Sequence, residues 1–280
     1  MSGGKHVAVR PRRRVRAGVV VPAVVLLLLA VLAAFPQAFT DGDPTRCDLS
    51  RSKEGPSAAH PFGFSVCGCD SLTDTVYAAR TSVLIAVLST LGAVAIAVVL
   101  GSLAGFCRGW VDALVSRATD VWTAVPLLLG GIVVLSAREE RGVLAVVVVL
   151  VLFGWPAMVR LQRAAVLEVS SRDFVQAARA LGASPTRVLL RHVLPHAMRP
   201  LLAYASAYGG LVIGVEATLT YFGVGLQQPA LSWGLQLLQA QNRLSDAPHL
   251  LLPALFLLVA VSSLVVLGQA LQRGAVDRAA

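Results

Sequence analysis

The chain has 280 residues, of which 56% are hydrophobic and only 14% are charged, and its formal net charge is +9. Soluble domains carry roughly 25% charged residues, so this composition argues against a water-soluble protein and favours a membrane protein. The positive charge does not indicate nucleic-acid binding, because Lys and Arg lie between apolar runs rather than along one continuous basic stripe.

Six apolar runs are long enough to cross a bilayer as helices, which takes about 20 residues each. Uninterrupted apolar runs indicate helices, because backbone polar groups in lipid must be satisfied within their own segment. The predicted spans are 17–35, 81–107, 121–137, 142–159, 200–222 and 250–271. The sequence therefore predicts an all-α, polytopic membrane protein with six transmembrane helices.

The first run, 17–35, follows a cluster of arginines and invites comparison with a secretory signal peptide. It is longer than the roughly 7–15 apolar residues in the core of a signal peptide, and the segment after it is a poor small-residue cleavage site. We therefore expect a retained transmembrane helix.

The placement of Lys and Arg predicts the orientation of the chain in the membrane. Most of the 24 Lys and Arg residues lie on the cytoplasmic side if both termini are cytoplasmic. The predicted organisation is a cytoplasmic tail at 1–16, a first span at 17–35, an extracytoplasmic loop at 36–79, a core of five spans at 80–275 with a cytoplasmic loop at 160–199, and a short cytoplasmic tail at 276–280.

Three of the four cysteines, Cys47, Cys67 and Cys69, fall in the predicted extracytoplasmic loop. That side of the membrane is oxidising, so we expect one disulfide, from Cys47 to either Cys67 or Cys69, and one leftover thiol. A metal site is the less favoured alternative. Cys107, near the cytoplasmic face, is expected to be a free structural thiol.

The loop at 160–199 contains a short predicted helix, a tight turn and a second helix. Asp173 is expected to cap the first helix, Gly182 to end it, and Ser184 and Pro185 to start the second, which re-enters the membrane near Pro195. One apolar face of the first helix is formed by four residues at helical spacing: Phe174, Ala177, Ala178 and Leu181. This pattern is typical of an element that docks into another protein.

The same stretch resembles the E-A-A loop of ABC importer permeases. Gln176-Ala177-Ala178, Gly182 and Leu194-Pro195 fall in register, with Gln176 at the usual Glu position and His192 at a usual Ile position. The resemblance implies the type I ABC importer permease fold, with 80–275 as the permease core. It also implies a segment that couples to ATPase subunits through Asp173, Gln176, Ala177, Ala178, Gly182, Leu194 and Pro195.

Two further stretches, 216–226 and 229–234, resemble the C-type subunit of dipeptide and oligopeptide permeases. The residues at 60–63 and 77–82 also resemble that subfamily, whereas 64–70 depart from its usual pattern. The resemblance implies transport of short peptides or a related small solute. It marks a possible gate or outer-face element at Glu216, Phe222, Gly223, Gly225 and Trp233.

Two of these outer residues have alternative interpretations. Glu216 is an acid in or near the membrane, and it is either functional or a hydrogen-bonded structural carboxylate. Trp233 is more readily interpreted as an anchor at the membrane interface than as a substrate contact.

The resemblance implies that the chain works in a complex and is not itself an enzyme. The expected partners are a second homologous permease subunit, two ABC ATPase subunits, an extracytoplasmic substrate-binding protein and membrane lipid. The sequence has no phosphate-binding G-x-x-x-x-G-K-[ST] loop, so ATP and Mg²⁺ are expected in the partner ATPases and no cofactor in this chain. The alternatives are a membrane scaffold or sensor that anchors a cytoplasmic partner, and, less favoured, an intramembrane enzyme.

Overall fold

The structure is a computed structural model that describes residues 12–243 and 245–276. Within these residues every regular element is helical, apart from one isolated bridge between Phe64 and Asp70. The helices in chain order are α1 (Arg12–Ala34), α2 (Ser71–Cys107), α3 (Gly109–Thr123), α4 (Leu127–Ser136), α5 (Val143–Ser170), α6 (Asp173–Ala180), α7 (Pro185–Tyr221), α8 (Trp233–Ala240) and α9 (Pro253–Val276). The predicted all-α class is confirmed.

Four segments of the described chain are long and apolar enough to cross a membrane: α2, α5, α7 and the range Pro248–Arg273, which includes most of α9. The pair α3 and α4 qualifies together as a fifth, broken span, and Gly18–Ala34 within α1 is a shorter apolar helix. Each predicted span therefore falls on a helix, but the count of six is approximate.

The helices extend well beyond the predicted spans. Helix α2 begins at Ser71 rather than near Thr81, α5 continues to Ser170, and α7 begins at Pro185. Most predicted spans end at or near a charged residue, because only the apolar run was used to define them. A helix can continue past that point into water, so the observed helices are longer. The predicted loop at 160–199 therefore shrinks to 171–184, and the residues between the last two predicted spans contain α8. The predicted tails at 1–16 and 276–280 lie mostly outside the described residues.

The predicted span at 121–137 falls on two helices with a sharp bend between them. Helices α3 and α4 meet at 75° across a break of a few residues that ends at Pro126. A proline removes a helical hydrogen bond and disfavours helical geometry in the residue before it. Pro126 itself is extended, with ψ 129°, and α4 starts immediately after it.

Helices α2 and α5 pack at very short range. A Cβ atom at Gly101 would lie 2.8 Å from both the Gln162 Cβ and the Val159 carbonyl oxygen. Beside this contact, the buried Gln162 amide donates a 3.1 Å hydrogen bond to the Ser102 hydroxyl. Small residues that let helix backbones approach are a recurrent means of association in membranes. The G-x-x-x-G pair formed by Gly101 and Gly105 is thus a packing face.

Helix α7 runs through the centre of the bundle. It packs along α9 and also contacts α2 and α5, while α1 lies against α9 and α2. Arg163 of α5 adds a bidentate ion pair with Asp112, which holds α5 against α3. The residues at the two ends of α7 are therefore connected by one continuous, well-packed helix of about 55 Å, at 1.5 Å per residue.

Candidate functional site

The first candidate region is the 173–195 segment, which lies at the N-terminal end of α7. Helix α6 ends in a Schellman motif: the Ala183 N–H donates to the Ala178 carbonyl at 3.1 Å and the Gly182 N–H to the Arg179 carbonyl at 3.0 Å. Gly182 has φ +80°, which favours glycine because it lacks a Cβ atom. The predicted helix, glycine turn and second helix are therefore present.

One valine anchors α6 to the rest of the protein. Val175 is fully buried and belongs to a small apolar cluster with Val166 of α5 and Val188 and Val193 of α7. Sequence reasoning missed Val175, because it concentrated on the face that carries Phe174. The two large residues of the predicted apolar face point outward instead: Leu181 is 89% exposed and Phe174 is 40% exposed.

One prediction about the ends of these helices needs correction. Asp173 does not cap α6, because Arg172 occupies the N-cap position and no side-chain cap bond is formed. Leu194 and Pro195 lie inside the continuous helix α7, just after a π-helical stretch at Val188–Val193, so the re-entry into the membrane near Pro195 stays a prediction. A single wide turn of this kind accommodates an irregularity without ending a helix.

The remaining residues of the E-A-A pattern stabilise the turn between α5 and α6. The Gln176 amide donates a 3.0 Å hydrogen bond to the Ser170 carbonyl at the end of α5. Ala177 is exposed and Ala178 half-buried, so small side chains leave the outer surface of α6 flat beside Leu181. Gln176 therefore fixes the angle at which α6 leaves α5.

The second candidate region lies at the opposite end of α7. The buried Glu216 Oε1 accepts hydrogen bonds from the Thr220 hydroxyl at 3.0 Å and the Ser232 hydroxyl at 3.1 Å. Thr220 in turn accepts the backbone N–H of Leu226 at 3.1 Å. Glu216 thereby fastens the segment 222–232 to the helix, while its second oxygen, Oε2, has no partner in the described residues.

The other outer residues fall into two groups. Gly223 has φ +76° and ends α7, and its carbonyl accepts a 2.8 Å hydrogen bond from Arg141. Phe222 beside it is 64% exposed, whereas Gly225 packs directly against Thr220 with no room for a side chain. Exposed Phe222 and buried Gly225 therefore have different environments, although the sequence resemblance grouped them.

Trp233 is not an interfacial anchor. Its side chain is fully buried, and the indole N–H donates a 3.1 Å hydrogen bond to the Thr75 carbonyl in the first part of α2. Trp233 starts α8, whose N-cap is Ser232. The tryptophan therefore joins the start of α8 to α2 from within the protein.

The segment between α1 and α2 covers this end of the bundle. Of the two pairings left open by the sequence, the structure contains the disulfide between Cys47 and Cys69, and Cys67 is a free thiol. Asp70 caps α2 by accepting the Thr73 N–H at 2.8 Å, and it also contacts the His60 ring nitrogen Nδ1 at 2.6 Å. Burial alone would raise the pKa of Asp70, but these hydrogen bonds outweigh it and hold the pKa below its ordinary value.

The chain matches the family model described as binding-protein-dependent transport system inner membrane component, over residues 97–279. The chain belongs to this family. It is therefore a multi-pass membrane component of a transport system, and the predicted recognition is confirmed. The match starts within α2 and includes both candidate regions.

Individual relatives agree with this assignment. The chain is 33% identical to the glutathione transport system permease protein GsiD of Pectobacterium atrosepticum, over 95% of this chain and 89% of the relative. It is 31% identical to the oligopeptide transport system permease protein OppC of Bacillus subtilis, over 91% and 83%. A dipeptide transport system permease protein DppC of Alkalihalophilus pseudofirmus is 29% identical, over 92% and 84%.

The fold is shared with a solved transporter. An inward-facing structure of the MetNI methionine ABC transporter superposes with a TM-score of 0.58 at 19% identity, covering 73% of this chain and 97% of that chain. The prediction of an ABC importer permease fold is thus confirmed. The chain is a transport permease rather than an enzyme, and the relatives give no support to the scaffold or sensor alternative.

Proposed function

We propose that this permease is one of two related membrane subunits that together enclose the pathway of an ATP-driven importer. Its 173–195 segment receives the force of ATP-driven closure from the ATPase subunits. The observation that supports this is the pairing of a buried anchor on α6, Val175, with an outward-facing apolar residue directly after that helix, Leu181. A short helical segment that exposes apolar side chains is suited to a hydrophobic groove in another protein.

Force applied to α6 has a direct mechanical route through the subunit. Val175 packs against α5 and α7, and Gln176 is bonded to the end of α5. Helix α7 then continues without a break from Pro185 to Tyr221, where Glu216 holds the outer segment. A rigid-body movement of α7 would therefore shift the outer end of the subunit, as alternating access requires.

The complex would contain a second homologous permease, two ABC ATPase subunits and an extracytoplasmic substrate-binding protein. ATP and Mg²⁺ bind in the ATPase subunits. The 173–195 segment and both termini face the cytoplasm, because ATP is available there and because Lys and Arg concentrate in cytoplasmic segments. The 35–70 segment and the outer residues Glu216 to Trp233 then face the binding protein.

Short peptides are the proposed cargo. The relatives named above are permease proteins of glutathione, oligopeptide and dipeptide transport systems, all of which handle small molecules with peptide bonds. The outer-face stretches at 216–226 and 229–234 carry the sequence resemblance to that group.

Charge substitution at the tip of α6 tests the coupling proposal. Leu181→Asp puts a carboxylate where we expect an apolar contact, and it should reduce co-purification of the ATPase subunits at least tenfold, about 1.4 kcal/mol. Leu49→Asp is the matched control, because Leu49 is also a strongly exposed leucine, 75% exposed, but lies on the proposed outer side. Undiminished ATPase recovery with Leu181→Asp, from a complex that still hydrolyses ATP, would refute the coupling role.

A further inference from the structure

A cavity of about 520 Å³ opens at the outer end of the bundle, between the 44–69 segment and helix α8. Small-molecule sites typically measure roughly 300–1,000 Å³. The polar lining of the cavity includes Thr45, Cys67, Asp74, Gln228, Gln236 and Gln239. The residues that line the cavity, all within the described chain, include carboxylate, amide, hydroxyl and thiol groups but no Lys, Arg or His.

Asp74 is the unusual member of this lining. It is only 6% exposed, and its Oδ1 has no hydrogen-bond partner among the described residues. Asp70, one turn earlier in the chain, cannot compensate it, because Asp70 is itself an acid and is already bonded to His60 and Thr73. A buried carboxylate without a counter-charge is costly, so the Asp74 carboxyl either takes up a proton or is paired with a cation that enters the cavity.

The rest of the cavity favours an organic cation over a metal ion. The described residues contain no group of three His, Cys, Asp or Glu side chains placed to hold a metal. The amide of Gln236 is already oriented by the Thr75 hydroxyl at 3.2 Å, and Gln239 lies one turn further along α8. Amides beside a carboxylate suit a ligand that has both an ammonium group and neutral polar groups.

We propose that this cavity binds the primary ammonium group of a small solute, with Asp74 as the counter-charge and the α8 glutamines beside it. The identification of that solute as a short peptide with a free amino terminus rests on the proposed function. The cation site itself does not rest on the proposed function, because it is inferred from the lining of the cavity and from Asp74.

The free thiol of Cys67 allows the site to be tested without any transport assay. The full complex in nanodiscs would be treated with 2-aminoethyl or 2-sulfonatoethyl methanethiosulfonate, which are similar in size and opposite in charge. Mass spectrometry would give the labelling rate at Cys67, with the exposed thiol Cys107 as an internal reference. We expect the cationic reagent to be favoured at Cys67 relative to Cys107.

Two variants attribute this preference to the cavity. Asp74→Asn should lower the cation-to-anion ratio at Cys67 by about fivefold, as expected for the loss of one nearby charge, and leave the ratio at Cys107 unchanged. Gln239→Lys should also lower the cation-to-anion ratio at Cys67, because it adds a positive charge to the lining while leaving Asp74 in place. This second variant provides the test if the Asp74 variant does not assemble. An unchanged ratio in an assembled variant would overturn the proposal.

Protection of Cys67 identifies the source of the ammonium group. L-Alanyl-L-alanine should slow labelling of Cys67 in the absence of the binding protein, whereas N-acetyl-L-alanyl-L-alanine should not. Equal protection by both would refute recognition of the ammonium group. If substrate-free binding protein protects Cys67 and the dipeptides do not, a protein side chain fills the cavity, which would overturn the small-solute proposal while leaving the transport function intact.

Discussion

The hydroxyl of Ser232 donates a 3.1 Å hydrogen bond to the carboxylate of Glu216, and both side chains are buried. The same hydroxyl accepts the backbone N–H of Leu235 at 3.2 Å, so it also caps α8. One serine thereby joins the end of α7, the outer segment 222–232 and the start of α8.

Replacing this serine should loosen the outer end of the subunit. Ser232→Ala removes both hydrogen bonds and leaves Glu216 less satisfied, so we expect a loss of about 1–3 kcal/mol in unfolding free energy. Thermal unfolding in detergent would measure it. Ser262→Ala is the control, because Ser262 is exposed and bonds only to carbonyls of its own helix. Equal effects of the two variants would contradict the role assigned to Ser232.

Gly182 provides a test of the geometry of the proposed coupling segment. Its Cβ position is in open space, but its φ of +80° is strained for any other residue. Gly182→Val should therefore misplace Leu181 and reduce uptake per ATP hydrolysed, with the complex still assembled. The cost of a β-branched residue in this backbone region is roughly 1–2 kcal/mol.

The control for Gly182 is another glycine with free space around it. Gly142 precedes α5 with an ordinary φ of −83°, and nothing lies within 4 Å of its Cβ position. Gly142→Val should leave the ratio of uptake to ATP hydrolysis unchanged. Normal coupling in the Gly182 variant, measured in proteoliposomes, would contradict the proposed role of the turn.

Close packing between α2 and α5 should make Gly101 intolerant of even a methyl group. Gly101→Ala places a Cβ atom 2.8 Å from Gln162 and Val159, so one helix must move. We expect a loss of about 1–3 kcal/mol in unfolding free energy, the usual cost of overpacking. Gly214→Ala, in helix α7 with no neighbouring atom within 4 Å, should be neutral or slightly stabilising in the same thermal unfolding measurement. A Gly101 variant as stable as the Gly214 variant would show that the helices separate easily.

The features that could be predicted from the sequence depend on short-range signals. The apolar runs predicted the helices because the bilayer imposes their length, and Gly182 predicted the end of α6 because a left-handed turn favours glycine. The spacing around Gln176 and Gly182 indicated the family because the whole motif lies within one short stretch of the chain. Helix ends were less predictable, because a charged residue such as Arg160 can leave the membrane without ending its helix.

The features that could not be predicted depend on contacts between distant residues. Trp233 has the composition of an interfacial anchor, but its indole bonds to Thr75, 158 residues earlier in the chain. The cavity beside Asp74 forms only when the 44–69 segment, α2 and α8 come together. No periodicity or spacing in a single sequence encodes such a meeting of segments. The alternatives for Glu216 stayed open because its partner Ser232 belongs to a different element.

The cap of α2 should make the outer segment sensitive to acid. The pKa of Asp70 is lowered from 3.8 by its hydrogen bonds to Thr73 and His60, despite partial burial that acts in the opposite direction. A carboxyl whose pKa is lower in the folded state stabilises that state above its ordinary pKa. This contribution is lost as the pH falls below 3.8 and through the folded value.

Asp70→Asn isolates this charge, because asparagine can still cap the helix. Wild type should protect residues 54–70 from hydrogen exchange better than Asp70→Asn at about pH 6, and the difference should shrink as the pH falls below 3.8 and Asp70 takes up its proton. Asp246→Asn, at an exposed aspartate elsewhere, should match wild type in these residues at both pH values. If the difference between wild type and Asp70→Asn persists undiminished in acid, the negative charge of Asp70 is not what protects residues 54–70.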